Sequence, residues 1–273
     1  MRVGPSGGRG GGSGWAVRAA QTGLSCGVTA GLLLHDTDLQ RQLEQGQPLQ
    51  PLLFTLLVLS SIVLYFVVSL MNPGYVEDDG GDGKDSMTGE EKAKTLFSEA
   101  PNIRLRRCGY CMVKQPLRAK HCQACQQCVR RYDHHCPWIE NCIGERNHPL
   151  FVLYLAVQLA VLLWALQVAW SGLNFRSFSW LWLQCHLLLL LSFLLLLVCT
   201  VIATLLLGSH LYLVSCNTTT WEFMSRHRIS YLKHCKAENP FDQGVLLNLW
   251  RFFCACRLMA WEKLYPPEES ELV

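Results

Sequence analysis

Seven cysteines and three histidines fall between residues 108 and 142. Cys108/Cys111 and Cys122/Cys125 form two C-x2-C pairs, each offering half of a tetrahedral thiolate–imidazole metal site. Residues able to complete such sites are His121, Cys128, His134, His135, Cys136 and Cys142. Two sites of three cysteines and one histidine would use eight of these ten residues and leave one cysteine and one histidine over. The stretch "RRYDHHCPWIENC" (130–142) sets Asp133, His134, His135 and Cys136 side by side. Those are the residue types of a cysteine nucleophile with a base and a carboxylate to orient it. Residue types alone leave open which cysteine binds metal and which one reacts.

The elements that must position this cluster are apolar. Half of the 273 residues are hydrophobic and only 16% are charged, too apolar for an ordinary soluble domain. Residues 51–71, 149–172 and 181–213 are each long enough to cross a bilayer as a helix, which needs about 20 residues. A weaker fourth span, 19–35, lies between Arg18 and the polar stretch that follows; a cleaved signal peptide is its alternative reading. Of the 24 Lys and Arg, segment 72–148 holds 12 and the tail from residue 214 holds seven. Loops 35–50 and 173–180 hold one each, so the basic segments face the cytoplasm and both termini lie inside. Cytosolic thiols stay reduced, and a dense cysteine cluster there points to metal binding or catalysis instead of disulfides. Residues 72–103, acidic and glycine-rich, read as a cytosolic linker, and 1–18 as a cytosolic N-terminus.

The spacing C-x2-C-x9-HC-x2-C-x2-C-x4-DHHC-x5-C-x4-N-x3-F, from Cys108 to Phe151, resembles the cysteine-rich domain of the DHHC protein S-acyltransferases. Within the 214–273 tail, "TTWE" (Thr219, Thr220, Glu222) resembles the TTxE motif of that family. "NPFDQG" (239–244), with Asn248 and Phe253, resembles its C-terminal motif. The resemblance implies an α-helical integral membrane protein of four spans, with a cytosolic two-zinc domain at 104–148 between spans two and three. It implies one zinc on Cys108, Cys111, His121 and Cys128, and the second on Cys122, Cys125, His135 and Cys142. Cys136 is then the nucleophile, His134 its base and Asp133 the group that orients the imidazole. A hydrogen bond from a threonine of TTWE to Asp133 is implied too, with capping of a helix as the alternative role.

The implied reaction moves a long-chain acyl group from palmitoyl-CoA to Cys136, and from there to cysteine thiols of membrane-proximal proteins. Thioester is exchanged for thioester, so the two structural zinc ions and the acyl-CoA co-substrate suffice. The acyl chain would lie among membrane lipids and the headgroup near Arg106, Arg107, Lys114, Arg118, Lys120, Arg130 or Arg131. The sequence does not single out which of these meets the phosphates. Short spans favour a Golgi or endoplasmic reticulum membrane, with the site facing the cytosol. A nucleic-acid partner is not expected, because no C2H2 pattern or base-reading helix accompanies the cysteines. A zinc-stabilised, non-catalytic membrane scaffold or chaperone is the competing reading, and the surplus Cys136/His134 pair tells against it.

Overall fold

The computed structural model describes residues 11–77, 105–173, 180–233, 239–254, 259, 261–263 and 265. Most of the 72–103 linker, the first ten residues, the loop 174–179 and the end of the tail lie outside them. Two compact units form: one from Met1–Leu70, Trp138–Glu140 and Leu150–Ser209, the other from Met71–Pro137, Asn141–Pro149 and His210–Val273.

The first unit is helical. Helix α1 spans Gly11–Leu34, α2 Asp38–Glu44 and α3 Leu49–Leu70, followed by the bulk of α4 (His148–Gly172) and α5 (Trp180–Ser215). Among the described residues, three helices are long and apolar enough to cross a membrane: α3, α4 and the His186–Ser215 part of α5. The expected span at 19–35 is helical up to Leu34, where α1 ends, but α1 is not among the three, since glycines and polar residues dilute its apolar side chains. Phe54, Val58, Leu162, Ala165, Ala169, Leu189 and Leu196 meet in the core. Leu188, Leu191, Val198, Ile202 and Leu205 point outward and stay exposed. Apolar side chains on every face suit a helix surrounded by lipid. Gly172 marks a close helix approach, because a Cβ there would stand 2.7 Å from Leu189 Cδ2. Trp138–Glu140, immediately after the DHHC tetrad, belongs to this unit: Tyr65 donates to the Trp138 carbonyl (3.2 Å) and Ser69 to that of Ile139 (2.7 Å).

The second unit carries two small antiparallel hairpins. Strand β1 (Lys120–Cys122) pairs with β2 (Gln127–Val129), and β3 (His134–Cys136) with β4 (Asn141–Ile143). Register puts His121 opposite Cys128 and His135 opposite Cys142, so each hairpin presents a histidine and a cysteine across from one another. In each C-x2-C knuckle the second cysteine's N–H points at the first sulfur: Cys111 to Cys108 (3.4 Å) and Cys125 to Cys122 (3.5 Å). The next residues, Met112 (φ 60°) and Gln126 (φ 54°), take the left-handed conformation that closes such a tight turn. Beyond α5 come the short helices α6 (Thr220–Ser225) and α7 (Ser230–Lys233), then α8 (Val245–Cys254).

Candidate active site

The hairpins gather the cysteines and histidines into two groups of four. Cys108, Cys111, His121 and Cys128 place their ligand atoms within 4.8 Å of one another, and so do Cys122, Cys125, His135 and Cys142. In the first, Cys111 Sγ stands 3.2 Å and Cys128 Sγ 4.0 Å from His121 Nδ1. In the second, Cys125 and Cys142 Sγ are 3.4 Å apart and lie 3.4 and 3.7 Å from His135 Nδ1. Four ligands on one tetrahedral zinc would have edges of about 3.6 Å (S to N) and 3.8 Å (S to S), given zinc–ligand bonds near 2.1 and 2.3 Å. Both groups therefore fit a closed four-coordinate ion. β1 supplies one ligand to each, His121 to the first and Cys122 to the second, which interleaves the sites in sequence.

Cys136 belongs to neither group, although it shares β3 with His135. Strand alternation sends the neighbouring side chains of β3 to opposite faces, so His135 turns to one metal group while His134 and Cys136 share the other face. His134 Nδ1 lies 2.6 Å from Asp133 Oδ2. Burial works against a charged imidazole, but hydrogen bonds to Asp133 and Cys136 and their negative charge outweigh it and raise His134 to about 9. Asp133 is itself 1% exposed; burial opposes its ionisation, and the charge of His148 and the His134 hydrogen bond hold its carboxyl well below the usual range.

Asp133 is held from two further directions. α6 begins with a capping box: Thr219 accepts from the Glu222 N–H, and Glu222 accepts from the Thr219 N–H (2.9 Å). The helix thus aims its first N–H groups at Asp133. Thr220 N–H donates to Asp133 Oδ1 (2.8 Å) and Trp221 N–H to the Asp133 carbonyl (3.1 Å). Both expected roles of TTWE are therefore present, but the donor to Asp133 is the backbone of Thr220. The remaining direction was not foreseen. His148, the first residue of α4, and His210, near the end of α5, bring imidazole nitrogens within 4.8 Å of an Asp133 oxygen and lie 3.3 Å from each other. The His134 and His210 ring centres are 5.7 Å apart. Asp133 is thus surrounded by three imidazoles. His148 and His210 sit in separate helices with no motif spacing to the tetrad, so no local signal marked them.

The C-terminal motif braces this end of the unit. Asn239 donates to the Cys216 carbonyl (2.6 Å), and Asn248 to that of Ser215 (2.8 Å). Phe241 is fully buried. Phe252 packs its ring 4.9 Å from that of His148, while its neighbour Phe253 is exposed. The basic residues also sort themselves. Arg118 and Arg131 are buried and Arg130 pairs with Glu145 (2.8 Å). Lys120 is half-buried over the Tyr132 and Trp221 rings. Arg106, Arg107 and Lys114 remain exposed.

The DHHC palmitoyltransferase family model matches residues 102–227. Over 255 residues the chain is 54% identical to palmitoyltransferase ZDHHC12 of Homo sapiens, covering 93% of each chain. Identity to the ZDHHC12 of Mus musculus is 54% over 259 residues, 95% of each chain. Palmitoyltransferase ZDHHC12-A of Danio rerio is 51% identical over 256 residues, 93% of this chain and 94% of the relative.

Proposed function

Since the chain belongs to the DHHC palmitoyltransferase family and is a protein-cysteine S-acyltransferase, we propose that Cys136 carries the acyl group, with His134 and Asp133 as its base and orienting carboxylate. One observation carries this reading. Cys136 is the cysteine of the cluster left outside both four-residue metal groups, and the histidine bonded to it is held at 2.6 Å by a buried aspartate.

The steps follow from those contacts. His134 holds the Cys136 proton as an imidazolium beside the thiolate, and the thiolate attacks the carbonyl carbon of palmitoyl-CoA. The carbon–sulfur bond to CoA breaks, and the CoA thiolate leaves with the proton from His134. A substrate cysteine then gives His134 its proton and attacks the acyl-enzyme, and Cys136 leaves as thiolate. Asp133 holds the imidazole with Nε2 free for these transfers and stabilises the charged ring. No proton or electron is gained or lost overall. In our reading the two Cys3His groups would each hold a zinc ion, the first tying the Cys108/Cys111 knuckle to the β1–β2 hairpin and the second tying β1 to the β3–β4 hairpin; with four protein ligands each ion would be structural and leave no position for substrate. Cys108, Cys111, His121 and Cys128 hold one ion, and Cys122, Cys125, His135 and Cys142 the other.

The acyl chain partitions into the bilayer and the CoA headgroup stays in the cytosol. Two features support that division. Cys136 lies 13 residues before Pro149, where the third apolar span begins, and two residues before the Trp138 carbonyl bonded by α3. The Lys/Arg asymmetry favours the cytosol for the basic 72–148 segment and the tail whether or not α1 spans, and with α1 as a fourth span the N-terminus lies there too. Arg106, Arg107 and Lys114 are the exposed cations available to the CoA phosphates. Cytosolic cysteines of membrane-proximal proteins are the acceptors, in a Golgi or endoplasmic reticulum membrane. Incubating the purified chain with labelled palmitoyl-CoA tests the reading: a hydroxylamine-labile label on Cys136 is expected, and its absence from an intact, metal-loaded chain would refute it.

A further inference from the structure

Arg118 has no place in the acyl-transfer steps, yet its setting is the most constrained of any cation among the described residues. It is 1% exposed and its backbone is left-handed (φ 65°). Its guanidinium meets Glu222 as a fork, Nε to Oε1 at 2.7 Å and Nη2 to Oε2 at 2.6 Å. Nη1 and Nη2 also donate to the side chain and carbonyl of Asn217 (3.1 and 2.9 Å). The guanidinium carbon stands 4.4 Å from the centres of both the Phe241 and Trp261 rings. Arg131 (φ 41°) and Asn217 (φ 47°), bonded to each other at 3.0 Å, also hold left-handed backbone. Three such non-glycine residues in one buried cluster indicate strain that the surrounding contacts maintain, a pattern concentrated at functional sites.

What the cluster grips is the start of α6. Glu222 Oε2, one end of the Arg118 fork, accepts the Thr219 N–H, and Tyr231 OH donates to Oε1 (3.0 Å). The adjacent N–H groups of Thr220 and Trp221 run to Asp133. We propose that Arg118 is a positioning residue for acyl transfer: by fixing both carboxylate oxygens of Glu222 it sets the α6 N-terminus, whose amides orient Asp133 and through it His134. A planar fork between two aromatic faces can do this; a lysine's single ammonium cannot fix two oxygens in one plane.

The inference rests on the assignment of Asp133 above, and a control separates the two. Asp133→Asn in the purified full chain should slow acyl-enzyme formation from palmitoyl-CoA; a normal rate would defeat the Asp133 assignment itself. Arg118→Lys should bind metal like the wild type and lower kcat for acyl-enzyme formation roughly 10-fold or more, while KM for palmitoyl-CoA stays within about twofold. Combining Arg118→Lys with Thr220→Pro, which deletes the Thr220 N–H, should cost little more than the worse single change, because both act through the same grip on Asp133. If Arg118→Lys does not fold, the paired change Arg118→Gln with Glu222→Gln neutralises both members of the ion pair together and should show the same kcat loss. Wild-type kcat in either folded variant, a loss confined to KM, or multiplicative losses with Thr220→Pro would overturn the positioning role.

Discussion

Thr220→Pro is the most selective perturbation the site offers. Thr220 is the first residue of α6, where proline's fixed φ is accommodated and the missing N–H is not needed by the helix. The preceding residue, Thr219, already has the extended backbone (φ −93°, ψ 159°) that a residue before proline requires. The helix and its capping box should therefore persist, while Asp133 Oδ1 loses its 2.8 Å donor and must move aside for the proline Cδ that takes the amide hydrogen's place. A hydrogen bond to a buried charged group contributes about 1.5–3 kcal/mol, so acyl-enzyme formation should slow roughly 10- to 150-fold if that bond holds the catalytic geometry. Rapid-quench measurement of the acyl-enzyme from palmitoyl-CoA gives the rate, with metal content as the check on folding. Thr220→Ala, which removes the hydroxyl and keeps the N–H, should cost far less. A Thr220→Pro rate within about twofold of wild type, in a metal-replete chain, would refute the view that the α6 amide orients Asp133.

Cys136→Ser should abolish acyl-enzyme formation and keep two zinc ions per chain, whereas Cys142→Ser should lose zinc, as metal analysis of both variants will show. The adjacent histidines should also part company: His135→Ala loses metal and stability, while His134→Ala keeps both ions and slows chemistry roughly 10²–10⁴-fold. The His134 pairing with Asp133 and Cys136 sets a pH dependence. Its imidazolium persists through neutral pH and is lost as pH rises through about 9, so the acylation rate should fall across that value. Asp133→Asn should move this alkaline limb toward the ordinary histidine value near 6.5, which a pH–rate profile on the metal-loaded chain measures.

Much of the site was legible because metal ligands obey spacing. The two knuckles, and through the family resemblance the interleaved ligand sets, could be named from residues 108–142, and the hairpin register brings those same residues together. The α3, α4 and α5 spans were legible from their unbroken apolar runs, whereas α1, diluted by glycine, is a helix whose passage through a membrane its composition leaves undecided. What escaped sequence reasoning depends on tertiary approach. His148 and His210 are 62 residues apart and meet only because their two helices bring them to Asp133. Arg118 falls among the phosphate-binding candidates in the sequence because an exposure of 1% and a partner 104 residues away leave no local trace. The TTWE motif is legible, and the hydrogen bond from one of its threonines to Asp133 is present; that it comes from the main chain, which every residue carries, is not something the residue type could signal.

Native mass spectrometry of the purified chain before and after palmitoyl-CoA tests the central claim most directly, since it reads metal and acyl occupancy on one molecule. Two zinc ions with a single hydroxylamine-labile palmitoyl group, mapped by fragmentation to Cys136, is the predicted result. An acyl group on Cys142 or another of the eight metal-group residues, or the loss of a zinc ion from Cys136→Ser, would contradict it.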